Sequence, residues 1–256
     1  MRWHFHFSSP PQADGIYNMA LDEALMRRAA RTGEAVFRVY GWSAPTVSLG
    51  RNQRARGWYD EAGARALGIG FVRRPTGGRA LLHDHEVTYS ATLPLAEGQA
   101  RAAYDFINEI LLSALSGLGV KAERAPVPTS MPPGLRPCFD VPAEREIVVD
   151  GRKLVGSAQW RRDGALLQHG SILIRDDQAV ISRLTKATVD APPAAATLSM
   201  ALGRDPSIEE VSRPILESLQ SAVGADVGPL SLDADTECDL ELLCRAYAEE
   251  CWTWRR

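Results

Sequence analysis

The sequence predicts an α+β fold, a mixed β-sheet with flanking helices. Two observations carry this. Segments with the spacing of amphipathic helices are interspersed with short β-rich runs, and several of those runs are joined by tight Asp-Gly or Gly-Gly turns. A third bears on organisation: 256 residues at 45% hydrophobic content suffice for a sizeable core, with neither an internal repeat nor a low-complexity linker.

The elements follow in order. Residues 1–7, Met1-Arg2-Trp3-His4-Phe5-His6-Phe7, alternate as a strand does. Ile16, Met19, Ala20, Leu21, Ala24 and Leu25 recur at helical spacing, which predicts a helix over 14–31 with Asp14 as its cap. Runs 35–40 and 46–49 read as strands joined by a turn at Gly41–Pro45. A short helix is expected over 58–67, ended by Gly68. Residues 70–94 then read as strand, glycine turn and long strand, and 101–117 as a second amphipathic helix. Six prolines between 126 and 142 prevent regular structure and stiffen a loop. A meander follows over 146–149, 153–159 and 165–174, with turns at Asp150-Gly151 and Asp163-Gly164. Helices are expected from Asp176, after Ser207 (a capping box with Glu210), and over 236–250.

The expected organisation is one catalytic domain over 1–256. The stretch 190–196, Asp-Ala-Pro-Pro-Ala-Ala-Ala, would connect a small helical C-terminal extension, 197–256. A net charge of −3 excludes a globally basic nucleic-acid binder. No apolar run reaches the ~18 residues that span a bilayer, and the N-terminus lacks the apolar middle of a signal peptide. The expectation is a cytoplasmic protein without nucleic-acid or membrane partners.

Four cysteines without a Cys-x-x-Cys pair argue against a zinc site and a disulfide framework. Cys238, Cys244 and Cys251 fall in one helical segment and read as buried small apolar residues. Cys138 differs, because Pro137-Cys138-Phe139-Asp140 lies in the polar, proline-punctuated loop. Fifteen residues later Lys153 stands in Gly151-Arg152-Lys153-Leu154-Val155-Gly156-Ser157-Ala158-Gln159. A thiol can hold an acyl group as a thioester, and a nearby ammonium can polarise its carbonyl. An exposed edge lysine fits that spacing too.

Upstream runs Arg73-Arg74-Pro75-Thr76-Gly77-Gly78-Arg79-Ala80-Leu81-Leu82-His83-Asp84. Gly77-Gly78 lets backbone approach a ligand closely among fixed positive charges, although a plain hairpin turn with solvated arginines has the same pattern. His83 and His85 would share a face on a strand and, with Asp84, invite a metal test; no further ligand is placed, and the expectation is no metal. Asn18-Met19-Ala20-Leu21-Asp22 reads as core, with Asp22 bonding across to the loops. Arg161-Arg162 beside Trp160 fits either a contact with an acidic carrier protein or a solvated turn.

These motifs, with Pro45-Thr46-Val47-Ser48-Leu49-Gly50 and His169-Gly170-Ser171-Ile172-Leu173, resemble the biotin and lipoate protein ligase and transferase superfamily over about residues 15–250. Cys-Phe-Asp ahead of the lysine segment is most similar to its cysteine-dependent octanoyl-[acyl carrier protein]:protein N-octanoyltransferases. The resemblance implies Cys138 and Lys153 as catalytic residues. It implies a substrate site formed by Arg73, Arg74, Thr76, Gly77, Gly78, Arg79, His83, Gly156, Ser157, Ala158 and His169, with no cofactor. The donor would be octanoyl-acyl carrier protein, and the acceptor a lipoyl domain such as the glycine-cleavage H protein. Arg79 stands where the ligases ordinarily carry a third glycine, which counts against adenylate chemistry. The alternatives are an octanoyl amidotransferase between lipoyl domains, an ATP-dependent lipoate-protein ligase, and a non-catalytic relative that binds acyl or lipoyl carriers.

Overall fold

The computed structural model describes residues 1–8, 13–125, 146–186, 194–224 and 227–255. Cys138, its proline-rich loop and part of the 190–196 connection lie outside the described residues.

Strand β1 (Trp3–Phe7) leads into helix α1 (Gly15–Thr32), then β2 (Ala35–Tyr40) and β3 (Thr46–Leu49). Helix α2 (Glu61–Ala66) precedes β4 (Gly70–Arg73), β5 (Leu81–His83) and β6 (Glu86–Pro94). Next come α3 (Ala100–Gly117), β7 (Glu123–Arg124), β8 (Ile147–Val149), β9 (Arg152–Arg162) and β10 (Ala165–Leu173). Helices α4 (Ala179–Leu184), α5 (Leu198–Leu202) and α6 (Ile208–Val223), short β11 (Gly228–Pro229), α7 (Ala234–Ala248) and α8 (Glu250–Thr253) complete the chain.

Eight strands form one sheet in the order β11-β1-β2-β6-β10-β9-β8-β7. β1 runs parallel to both of its neighbours, and the remaining pairs are antiparallel. Three more strands form a second sheet, β4-β3-β5, with β3 parallel to β4 and antiparallel to β5. Both sheets are mixed, as expected. Helix α1 packs on β6 and β10 from one side, while α3 and α6 cover the opposite face.

Local chemistry explains these elements. Asp14 caps α1 by accepting from the Tyr17 N–H at 2.8 Å, and Gly33 ends it with φ +71°. Met19, Ala20, Leu21, Ala24 and Leu25 are buried, each larger side chain contributing about 1.5–3 kcal/mol of transfer free energy. The Ser207–Glu210 capping box starts α6 with both reciprocal bonds made. The turns at Asp150 and Asp163 hold positive φ, +49° and +51°, which aspartate tolerates, and each passes to a glycine.

The structure corrects four expectations. β2 and β3 are not hairpin partners; they lie in different sheets. Between them Trp42, 6% exposed, wedges into the interior, donating to Thr88 Oγ1 at 2.8 Å and stacking on the His83 ring at 4.0 Å. The long strand expected before Pro94 is broken at Asp84-His85, where Glu86 N–H turns back to the Asp84 carbonyl. The helix expected from Asp176 starts later, because Asp176 and Asp177 bind the Ala195 and His85 backbones instead. Finally, Cys238 and Cys251 are exposed and Cys244 half-buried; α7, which carries Cys238 and Cys244, turns Thr236, Leu243 and Tyr247 inward, and Cys251 lies on α8.

Candidate acyl-transfer site

Strand register builds the site. Opposed residues in antiparallel strands share a face, so Arg38, Ser90, His169 and Ala158 form one row across β2, β6, β10 and β9. Tyr40, Thr88, Ser171 and Gly156 form the next. Both rows face α1. They floor a cleft lined by Met19, Tyr40, Leu81, His83 and Ala158, among others, and rimmed by Arg74 and Gly78.

A carboxylate organises the first row. Fully buried Asp22 accepts from Arg38 Nη1 (2.9 Å), Ser90 Oγ (2.7 Å) and Tyr40 O–H (2.8 Å), and meets His169 Nδ1 at 3.0 Å. Burial pushes its carboxyl up. The hydrogen bond from His169 and the charge of Arg38 outweigh that and hold it below the usual carboxylate range. An ionised carboxylate only accepts, so His169 Nδ1 carries a proton. Its Nε2 lies 2.7 Å from the Thr76 hydroxyl. Helix α1 thereby fixes the residue that precedes Gly77-Gly78.

A second chain of bonds runs through the cleft wall. Arg74 Nη1 donates to Ser48 Oγ at 3.0 Å, and that hydroxyl meets His83 Nε2 at 2.8 Å. His83 Nδ1 faces Glu86 Oε1 at 3.1 Å, and Thr88 and Ser171 donate to the same carboxylate. Burial pulls His83 below its ordinary value against the opposing pull of Glu86, which favours a neutral ring in the wall.

The Gly77-Gly78 turn is shaped by close approach. Arg74 donates to the carbonyls of Gly77 (2.8 Å) and Arg79 (2.7 Å), closing the turn. Gly78 has φ +96°, and its carbonyl lies against Gly50, where a Cβ would come within 1.9 Å of that oxygen. Only glycine at 50 lets the loop seat there.

Residues 14–220 match the lipoyl protein ligase A/B catalytic domain family. The chain belongs to that family. It is 38% identical to the octanoyltransferase LipM of Kyrpidia tusciae, over 96% of each chain. Against the octanoyltransferase LipM of Geobacillus kaustophilus it is 34% identical, over 99% of this chain and 98% of that one. The fold is similar to that of a bi-partite lipoate protein ligase from Thermoplasma acidophilum, with a TM-score of 0.81 at 22% identity, covering 99% of this chain and 96% of the other. Lipoate-protein ligase A bound with ATP superposes with a TM-score of 0.80 at 22% identity, over 99% and 98%. The α+β architecture is therefore that of the family's catalytic fold.

Within this family fold the residues singled out by sequence take distinct places. Arg74, Gly78, His83, Gly156, Ser157, Ala158 and His169 line the cleft, and Thr76 and Gly77 lie directly behind its rim. Arg79 is half-buried at the end of the turn. Arg73 is not among the cleft-lining residues. Its guanidinium binds the carbonyls of Gly50 (2.5 Å), Gln53 (2.9 Å) and Thr253 (2.9 Å), stapling the C-terminal helix to the loop. Lys153 is no solvated edge lysine: it is 3% exposed, with its ammonium 2.6 Å from Glu146 Oε1. The pairing of β8 with β9 shifts register between Ile147 and Val148, so strict alternation does not run through Lys153.

The break at Asp84 separates the two histidines of the metal test. His83 turns inward, while His85 is exposed and faces Asp84 and Asp177, whose ligand atoms lie within 4.8 Å of one another. Arg161 and Arg162 are exposed near the β9–β10 turn, and Arg162 pairs with Asp163 at 3.0 Å.

Sequence reasoning missed Arg38, Tyr40, Ser48, Glu86, Ser90 and Glu146. A signal existed for three of them. Arg38, Ser90 and Glu86 are polar residues within or at the start of otherwise apolar strand runs, and such residues need partners.

No helix among the described residues is long and apolar enough to cross a membrane.

Proposed function

We propose that this chain transfers an octanoyl group from acyl carrier protein to a lysine of a lipoyl domain, in lipoate biosynthesis. The carrying observation is similarity along nearly the whole length to relatives named octanoyltransferase LipM. The enzyme is an acyltransferase, and its substrates are an acyl donor and a lipoyl-domain acceptor. In this reading the whole chain works as one catalytic domain in the cytoplasm, without a cofactor or metal.

The reaction has two steps. The Cys138 thiolate attacks the thioester carbonyl of octanoyl-acyl carrier protein. The new C–S bond forms, the bond to the carrier sulfur breaks, and the carrier thiolate leaves and takes a proton. The neutral amine of the acceptor lysine, on a lipoyl domain such as that of the glycine-cleavage H protein, then attacks octanoyl-Cys138. A C–N bond forms, the C–S bond breaks, and the amine proton passes to the departing sulfur. Thioester exchange is nearly isoenergetic and amide formation from a thioester is downhill, so ATP is not needed. Dividing one transfer into two is the advantage of covalent catalysis.

Lys153 stabilises the charge developing on the carbonyl oxygen, worth about 3 kcal/mol if it acts as one oxyanion donor. The cleft walls of Met19, Tyr40 and Leu81 suit the acyl chain, at ~0.8 kcal/mol per buried methylene. Thr76, Gly77, Gly78, Arg74 and Arg79 present backbone and charge at its rim, with His83 and His169 holding that rim rather than reacting.

The test is transfer from octanoyl-acyl carrier protein to a lipoyl domain without ATP. Wild type should transfer, and Cys138→Ser and Lys153→Ala should each lose most of the rate. Near-normal transfer by either variant rejects the assignment. Transfer only from an octanoylated lipoyl domain, or only with ATP and free lipoate, moves it to the amidotransferase or the ligase.

A further inference from the structure

The start of β9 carries a second buried charge, and a neighbour answers it. Glu146 immediately precedes β8, and Lys153 is the second residue of β9, directly opposite Val148. The tight Asp150-Gly151 turn therefore brings two residues seven apart side by side, Nζ to Oε1 at 2.6 Å. Both are nearly inaccessible, at 3% and 6% exposure. Among the described residues, the other ionisable groups facing the pair are Tyr104 from α3 and Tyr89 from β6. Burial pushes both phenols up, so neither supplies a negative charge near neutral pH. Tyr89 O–H meets Ser157 Oγ at 2.7 Å and accepts from Gln168 at 2.9 Å, so it is committed elsewhere.

Burial disfavours the charged form of a lysine, and a carboxylate in contact restores it. We propose that Glu146 is a positioning residue of the transfer, holding the Lys153 ammonium in place. This rests on the role given to Lys153 under the proposed function. One carboxylate oxygen takes one of the three N–H bonds, which fixes the direction of the others. Glu146 touches no reacting atom in this role. It acts through Lys153, and removing its charge loosens the hold on that ammonium.

The experiment follows single-turnover octanoyl transfer between pH 6 and 9 for wild type, Glu146→Gln, Glu146→Asp and Lys153→Ala, with melting curves for each. Glu146→Gln should lower kcat at least tenfold with KM unchanged and melting close to wild type. Glu146→Asp keeps the charge, so kcat should fall only several-fold, with KM unchanged. A Glu146→Gln profile superimposable on wild type, with Lys153→Ala inactive, overturns this inference and leaves the function standing. Wild-type transfer by Lys153→Ala overturns the function itself. Equal loss by Glu146→Gln at every pH, with lowered melting, makes Glu146 merely structural. If Glu146→Gln does not fold, Glu146→Asp decides: wild-type kcat overturns the proposal.

Discussion

On the α1 face of the eight-stranded sheet, Asp22 gathers Arg38, Tyr40, Ser90 and His169 around one carboxylate. At the start of β9, Lys153 meets Glu146 beside two phenols raised by burial. Through His169 the first cluster holds the Thr76 hydroxyl, so its product is a fixed loop. In the second, the ammonium stands on a strand whose next residues, Gly156 to Ala158, line the cleft. Burial is nearly equal on the two sides and therefore does not sort structure from chemistry. The sorting comes from what each charged group is bonded to. Arg73 and Arg74 teach the same lesson within one dipeptide: one staples the C-terminal helix, the other closes the turn at the cleft rim.

If the α1-face cluster is scaffold, breaking it should cost stability first. Asp22→Ala leaves Arg38 buried without its carboxylate, and a broken buried pair costs about 3–5 kcal/mol. Urea unfolding should show that loss, whereas Lys153→Ala should lose transfer with a smaller stability change. The reverse ranking breaks the comparison.

Gly50→Ala sharpens it at the rim. The added methyl meets the Gly78 carbonyl, so the turn must move, at a cost of about 1–3 kcal/mol for overpacking. Transfer should fall with KM rising more than kcat drops, read from steady-state kinetics.

Acid provides a third probe. Burial, with Arg38 nearby, lowers His6 to about 4, and burial also lowers His83. A folded value below the unfolded ~6.5 contributes stability that is present above pH 6.5 and lost as pH falls from there toward 4. Asp22, also lowered, contributes stability above the usual carboxylate range, lost only as pH falls through its own lower value. Urea midpoints should therefore decline between pH 6.5 and 4, and His6→Gln should flatten that decline. An unchanged slope in the variant contradicts it.

The smallest effect belongs to Cys238→Ser. This exposed thiol lies on the outer side of α7, so stability should stay within ~0.5 kcal/mol and transfer unchanged.

Much of this was legible in the sequence because it rests on local signals. The Asp14 cap, the Ser207–Glu210 box and the Asp-Gly turns each fix a backbone state within four residues, and the meander from 147 to 173 followed. Pairing between distant strands carries no such signature. Nothing local assigns β2 and β3 to different sheets, since Trp42 does so through contacts with Thr88 and His83. Motif spacing brought together Thr76, Gly78, Gly156 and His169. It did not separate Arg73 from the cleft lining, and it passed over Glu146, whose meaning appears only once the hairpin folds back on Lys153. The α7 cysteines show a limit of composition: a residue type usually buried lies outside when its helix turns other side chains inward.

The central claim, acyl transfer through a thioester, is tested most directly by intact-protein mass spectrometry after mixing with octanoyl-acyl carrier protein in the absence of ATP. The account predicts one added octanoyl group, mapped to Cys138, that disappears when a lipoyl domain is added and reappears on that domain. An unmodified protein that still octanoylates the lipoyl domain, or an adduct at any other residue, contradicts it.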